Sequence, residues 1–103
     1  MHCYSGSAEV VNEFLKLGLY ISFGGPLTFK NARVPKEAIL KVPTDKLLFE
    51  TDCPYLAPHP LRGKENEPAN VVLVGHCASE ILDIEYDKLV QIEHKNVLRL
   101  FKI

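Results

Sequence analysis

Stretches of strand character and helix character alternate along this chain, and the connections between them are short. Residues 19–23, Leu-Tyr-Ile-Ser-Phe, are rich in β-branched and aromatic side chains and stop at Gly24-Gly25-Pro26, which predicts a strand and a tight turn. Ahead of it, Val10, Val11, Phe14, Leu15 and Leu17 recur at helical spacing. An amphipathic helix is therefore predicted over 8–17, with Ser7 as its cap, Glu9 in its first turn and Gly18 as its stop. Residues 1–4 read as the last residues of a further strand. The unit then repeats: Pro35 opens a short helix over 35–41, and residues 46–51 follow as a strand. Strands joined through helices run parallel, so the alternation predicts an α/β fold. Residues 53–67 carry Pro54, Pro58, Pro60 and Gly63 and read as one long irregular stretch, which in a small domain is functional or disordered. Pro68 opens a helix reaching Leu82, and two short helices, 86–93 and 94–101, are expected to finish the chain.

At 103 residues this is one domain at most, and 47% hydrophobic with 24% charged residues is an ordinary globular balance. A net charge of −1 supplies no global basic field to attract nucleic acid, although it allows a local basic patch. No apolar run approaches the ~18 residues that a membrane span needs, and Met-His-Cys-Tyr-Ser-Gly does not read as a signal peptide. Cys3, Cys53 and Cys77 are odd in number and widely spaced, which is neither a disulfide framework nor a metal knuckle. Reduced thiols and a cytoplasmic location are expected, with Cys77 packing as a small hydrophobe on a helix.

Candidate chemistry gathers at the predicted strand ends. Leu47-Leu48-Phe49 runs into Glu50-Thr51-Asp52, and alternate strand residues share a face, so both carboxylates are expected to point the same way. Pro54 is expected to stop the strand. Such a pair suits a metal or acid/base work, and it equally suits a solvated strand terminus. His2 lies at the end of the first predicted strand and Gly24-Gly25 at the end of the middle one. Ligands of parallel α/β folds collect at the carboxyl ends of strands, and His with Asp is a good first-row metal pair. A histidine beside Met1, taken alone, reads as a frayed terminal residue. Cys3 reads as a packing thiol, and Tyr4 either lines a pocket or packs. Ser5-Gly6-Ser7 precedes a helix N-terminus, a ready anion site. Lys30, Arg33, Arg62 and Lys64 come from two loops expected at one edge of the sheet, where together they could neutralise a phosphate. Singly, each is a solvated surface charge.

Six blocks extend these readings: residues 1–6 (Met-His-Cys-Tyr-Ser-Gly), 20–25 (Tyr-Ile-Ser-Phe-Gly-Gly), 28–32 (Thr-Phe-Lys-Asn-Ala), 47–60 (Leu-Leu-Phe-Glu-Thr-Asp-Cys-Pro-Tyr-Leu-Ala-Pro-His-Pro), 62–69 (Arg-Gly-Lys-Glu-Asn-Glu-Pro-Ala) and Asn96-x-x-Arg99-Leu100-Phe101. In this order they resemble the C-terminal part of a TatD-type metal-dependent deoxyribonuclease, of the amidohydrolase superfamily. The resemblance implies a partial (β/α)8 TIM barrel, strands six to eight with their helices and a C-terminal helical segment. It implies hydrolysis of DNA phosphodiesters by metal-activated water, with two divalent ions (zinc, magnesium or manganese) in the intact site. His2 and Asp52 match metal ligands, Asp52 also orienting or deprotonating the attacking water, and Glu50 matches an acid beside them. Tyr4, Ser5, Arg62, Lys64 and Asn66 are then the residues expected to face the DNA substrate.

The resemblance also implies departures. Glu85 and Glu93 stand where the family commonly has capping hydroxyls. A complete barrel takes ~250 residues, and the upstream histidines and glutamate of the family site have no counterpart in this chain. His2 and Asp52 give two protein ligands where catalytic zinc usually has three. Weak or no metal binding, and no useful catalysis, is therefore expected of the chain alone. Open edges at residues 1–4 and 46–51 are expected to invite self-association or an N-terminal half. Two other readings stay open: a non-catalytic remnant or complementing interaction segment, and a metal hydrolase of another ester or amide.

Overall fold

The computed structural model describes residues 1–53 and 55–102. Its elements in order are α1 (Ala8–Lys16), β1 (Ile21–Phe23), α2 (Arg33–Ile39), β2 (Leu47–Phe49), α3 (Val71–Leu82) and α4 (Tyr86–Phe101), with tight helical turns at Gly25–Thr28, Thr44–Lys46 and Pro68–Asn70. β1 and β2 pair in parallel, with Ile21 opposite Leu47 and Phe23 opposite Phe49. The predicted α/β alternation is therefore present, with strands shorter than the apolar runs that mark them.

Residues 1–4 run along the other edge of β1. Ser22 N–H donates to the Met1 carbonyl and Tyr4 N–H to the Ser22 carbonyl, each at 2.8 Å. The Met1 ammonium donates to the Tyr20 carbonyl. His2 is thus not on a frayed end. The segment is not a regular strand either, because Cys3 takes a left-handed backbone (φ +46).

Ile21, Phe23 and Leu47 are buried in one core with Val11, Ile39, Val74 and Leu89 of the helices. Ser22 and Leu48, at the alternate positions, line an open groove of about 410 Å³ shared with Phe49, Val97, Leu100 and Phe101. α1 starts as predicted: the Ser7 hydroxyl accepts from Val10 N–H at 3.2 Å, and Gly18 follows the helix at φ +80, where a side chain would be strained.

Two expectations are corrected. α2 begins at Arg33 rather than Pro35. Pro35 fits its first turn because N–H groups there have no partner within the helix. The final segment is one helix, Tyr86–Phe101, not two. Nothing between Glu93 and His94 breaks it, since no Gly or Pro lies in that stretch. Glu93 is therefore no cap: its carboxylate lies mid-helix, 3.5 Å from Phe49 N–H of β2. The next residues on this face of α4 serve β2 and the turn before it. Asn96 donates from Nδ2 to the carbonyls of Thr44 (2.7 Å) and Leu47 (2.8 Å), and Arg99 donates to that of Asp45 (3.1 Å). The edge of β2 that was expected to be open thus meets side chains of α4.

Candidate metal centre

β2 ends at Phe49, two residues before its predicted end, although Glu50 N–H still donates to the Phe23 carbonyl at 3.0 Å. Glu50 and Asp52 therefore do not share a face through strand alternation. Asp52 instead turns into the left-handed region (φ +54), which an Asp tolerates better than most residues. Pro54, expected to stop the strand, lies outside the described residues.

The turn brings the two carboxylates to His2. His2 Nδ1 is 2.7 Å from Glu50 Oε1, and His2 Nε2 is 3.6 Å from Asp52 Oδ1. One donor atom from each of the three residues falls within a 4.8 Å group. His2 is exposed, Asp52 about one-third exposed and Glu50 nearly buried. Glu50 Oε2 accepts from Cys3 N–H. Its Oε1 is buried and makes no hydrogen bond among the described residues, because the approach of His2 Nδ1, though close, lacks hydrogen-bond geometry. A buried carboxylate oxygen without a hydrogen bond, beside an imidazole and a second carboxylate, is a donor set suited to a divalent cation. The resemblance assigns His2 and Asp52 as ligands and Glu50 as an acid beside them, and the fold brings a donor atom of all three into one group.

Cys3 stays outside that set. Burial, and then the negative charges of Glu50 and Asp52, push its thiol above the ordinary range. The group of converging donor atoms is made by His2, Glu50 and Asp52, and Cys3 is not among them. Gly25, at the end of β1, lies against the backbone of Leu56 and Pro58. A Cβ there would lie 1.9 Å from the Leu56 carbonyl oxygen, so only glycine lets the 53–67 loop settle on the end of β1.

The sequence model described as TatD related DNase matches residues 1–102. The chain belongs to this family. It is 50% identical over its whole length to the uncharacterized metal-dependent hydrolase YabD of Bacillus subtilis, and 45% identical to YcfH of Escherichia coli, covering 40% and 39% of those proteins. It is 33% identical, over 98% of its length, to the uncharacterized metal-dependent hydrolase TatD of Mycobacterium tuberculosis. Among solved structures it superposes on the TatD homologue YjjV of E. coli with a TM-score of 0.93 and 30% identity, covering all of this chain and 40% of that one. The chain thus spans about 40% of the length of the relatives it matches.

Within this TatD-family chain the residues expected to face substrate separate into two groups. Tyr4 is buried: its ring packs edge-on against Phe14 and Phe23, and its hydroxyl donates to the Ser7 carbonyl at 2.6 Å. Asn66 is buried and fully engaged. Its Nδ2 donates to the carbonyls of Thr51 and Tyr55, and its Oδ1 accepts from Glu67 N–H and Asn70 Nδ2. Both side chains are occupied in bracing the backbone beside the site. Ser5, Arg62 and Lys64 remain exposed. The four cations expected at one edge of the sheet line two hollows. Lys30 and Arg33 line one hollow with Lys36 and Glu37, whereas Arg62 and Lys64 line another with Tyr55. Arg33 is paired with Glu37 at 3.0 Å.

Proposed function

We propose that His2, Glu50 and Asp52 form part of a metal-dependent DNase centre that hydrolyses DNA phosphodiesters. On this reading the chain supplies strands six to eight of a (β/α)8 TIM barrel, and upstream strands seated in the groove beside Ser22, Leu48 and Phe101 bring further ligands. The observation that carries the reading is the buried Oε1 of Glu50, which lacks a hydrogen-bond partner among the described residues and faces the imidazole.

His2, Glu50 and Asp52 would hold the ion, and their mixed nitrogen and oxygen donors admit zinc, manganese or magnesium. A divalent ion bound there supplies charge neutralisation for an in-line displacement and acidifies water. The chain's own residues do the rest. Asp52, the more exposed carboxylate, orients the attacking water and accepts its proton. Glu50, fixed at Oε2 by Cys3 N–H, holds its other oxygen toward the reacting centre. His2 is presented by a backbone tied to β1. The free thiols Cys3, Cys53 and Cys77 suit a reducing cytoplasm.

Calorimetric titration of Mn²⁺ or Zn²⁺ into the chain tests the reading, beside His2→Ala, Glu50→Gln and Asp52→Ala. With Glu50 beside His2 and Asp52, weak binding in the native chain that each substitution abolishes is expected, although two ligands alone would give little or none. Binding indifferent to all three would sink it. Adding the upstream part of YabD should then yield metal-dependent cleavage of DNA in preference to a carboxyl ester.

A further inference from the structure

The groove beside β2 is largely apolar, with one carboxylate of α4 set into it. Leu48, Phe49, Val97, Leu100 and Phe101 line it, and Glu93 stands among them. We infer that this groove pairs with a second copy of the chain. Two α4 helices pack antiparallel about a two-fold axis near Val97, so that Phe101 of each copy enters the groove of the other and Lys102 reaches Glu93. The inference does not rest on the metal chemistry. It concerns the chain by itself, because upstream strands seated in the groove would exclude the second copy.

The helix supplies the pattern. Glu93, Val97, Leu100 and Phe101 stand at i, i+4, i+7 and i+8, one stripe along α4. Leu89 and Asn96, on the flank next to it, are buried and hold α4 to the core and to β2. The stripe itself is uncovered: Phe101 is 62% and Leu100 38% exposed, and Met1 and Leu19, which share the groove, are 43% and 37% exposed. Apolar surface gathered in one place marks an interaction face. A hollow with an exposed aromatic ring in its own lining is self-complementary, and a two-fold interface needs a patch of that kind.

The spacing fits the axis. Glu93 and Phe101 lie four residues to either side of Val97, ~6 Å along the helix in each direction at ~1.5 Å per residue. Turning a second helix end for end about Val97 therefore brings its Phe101 level with Glu93 and its Lys102 one residue beyond. The charges agree with this register. Glu93 is half-buried, and no lysine or arginine pairs with it among the described residues. Its hydrogen bond from Phe49 N–H is long, at 3.5 Å. Lys102, the residue after α4, is exposed. Its ammonium gives Glu93 across the axis the counter-charge that its own chain does not. Twelve described residues line the groove, against roughly 20–30 a side in a standard interface, so the dimer is weak and concentration-dependent.

Sedimentation equilibrium of the full chain is the test, and a dimer forming in the micromolar range is expected. Phe101→Ser is expected to weaken pairing ~10-fold or more. Lys102→Glu, which sets like charges together across the axis, is expected to weaken it ~10-fold. Glu93→Lys should fail to pair alone for the same reason, and mixing it with Lys102→Glu should restore the dimer, since the two charges then exchange places. A monomer at about 200 μM would overturn the inference and leave the groove to upstream strands alone. A dimer untouched by Phe101→Ser, or a mixture of the two folded charge variants that stays monomeric, would overturn it as well. Near-ultraviolet circular dichroism checks folding, which the exposure of Phe101 and Lys102 leads us to expect of their variants. Metal titration of the Phe101→Ser chain reads His2, Glu50 and Asp52 separately, so loss of pairing and loss of the metal centre are told apart.

Discussion

Replacing Gly25 by alanine adds one methyl group at a point where the structure has no room for it. The new Cβ would lie 1.9 Å from the Leu56 oxygen, 3.1 Å from the Leu56 carbonyl carbon and 3.2 Å from Pro58 nitrogen. All three are backbone atoms, so no side chain can swing aside. The loop must withdraw by about 1 Å before the contact is tolerable. Forcing an extra carbon into packed structure costs ~1–3 kcal/mol. Withdrawal also breaks the His59 N–H bond to Thr28, worth about 1 kcal/mol, and lifts Ala57 and Pro58 from their buried positions. The total is about 2–4 kcal/mol, which for a domain of this size lowers Tm by ~8 °C at the least. Thermal unfolding by circular dichroism reads the first effect. Hydrogen exchange at His59 reads the second, and its protection should fall. A Gly25→Ala chain that melts within ~2 °C of the native one, with His59 still protected, would refute the close approach and with it the placement of the loop that carries Tyr55 and Arg62.

Other substitutions probe how α4 serves β2. Asn96→Ala removes both bonds from Nδ2 and leaves the Thr44 and Leu47 carbonyls without that donor, one of them buried. Unfolding free energy should fall by ~2–4 kcal/mol in a urea titration, and a loss below ~0.5 kcal/mol would remove the role assigned to this residue. Glu93→Gln tests the charge beside Phe49. Burial pushes the Glu93 carboxyl above the ordinary range, against the smaller pull of Phe49 N–H and His94. The native state then holds its proton more tightly than the unfolded chain, so stability falls as pH rises through the window between the two values. Gln keeps an acceptor oxygen for Phe49 without the charge. The variant should therefore be the more stable at neutral pH and no better than the native chain at acid pH, and a difference that does not change with pH would count against a buried carboxyl.

Much of the frame can be read from the residues, because short-range physics writes it. Ser7 and Gly18 bound α1 where a cap and a left-handed stop are needed. The apolar runs at 19–23 and 47–49 are strands, and the alternation of strand with helix makes them parallel. What could not be read is where side chains are occupied. Tyr4 and Asn66 carry polar groups next to the site, and their hydrogen-bond partners lie from 1 to 15 residues away along the chain, most of them across turns that no local pattern specifies. Glu93 looks like a weak cap in sequence because its partner, Phe49, is 44 residues distant. The Glu50 and Asp52 pair is legible as a candidate, but not its geometry: the two carboxylates meet at His2 because Asp52 leaves the strand geometry and His2 arrives from the other side of β1.

The backbone itself marks the working end of the sheet. Cys3, Asp52 and Leu56 all have left-handed φ angles (+46, +54 and +56), and none is a glycine. Each such residue costs on the order of 1–3 kcal/mol and persists only where its surroundings over-determine it. Here the restraints are visible. Cys3 N–H is held by Glu50, the Asp52 carbonyl by Tyr55 N–H, and the turn between Asp52 and Leu56 by Asn66 reaching the carbonyls of Thr51 and Tyr55. Asn66 thus opposes the strain from the buried side while His2, Glu50 and Asp52 converge on the open side. Removing Asn66 should do more than destabilise the loop. It should release Asp52 toward ordinary backbone geometry and draw its carboxylate away from His2. Asn66→Ala is therefore expected to weaken metal binding although Asn66 touches no ligand atom. Asn66→Ala binding metal with native affinity would show that the left-handed turn at Asp52 stands without this brace.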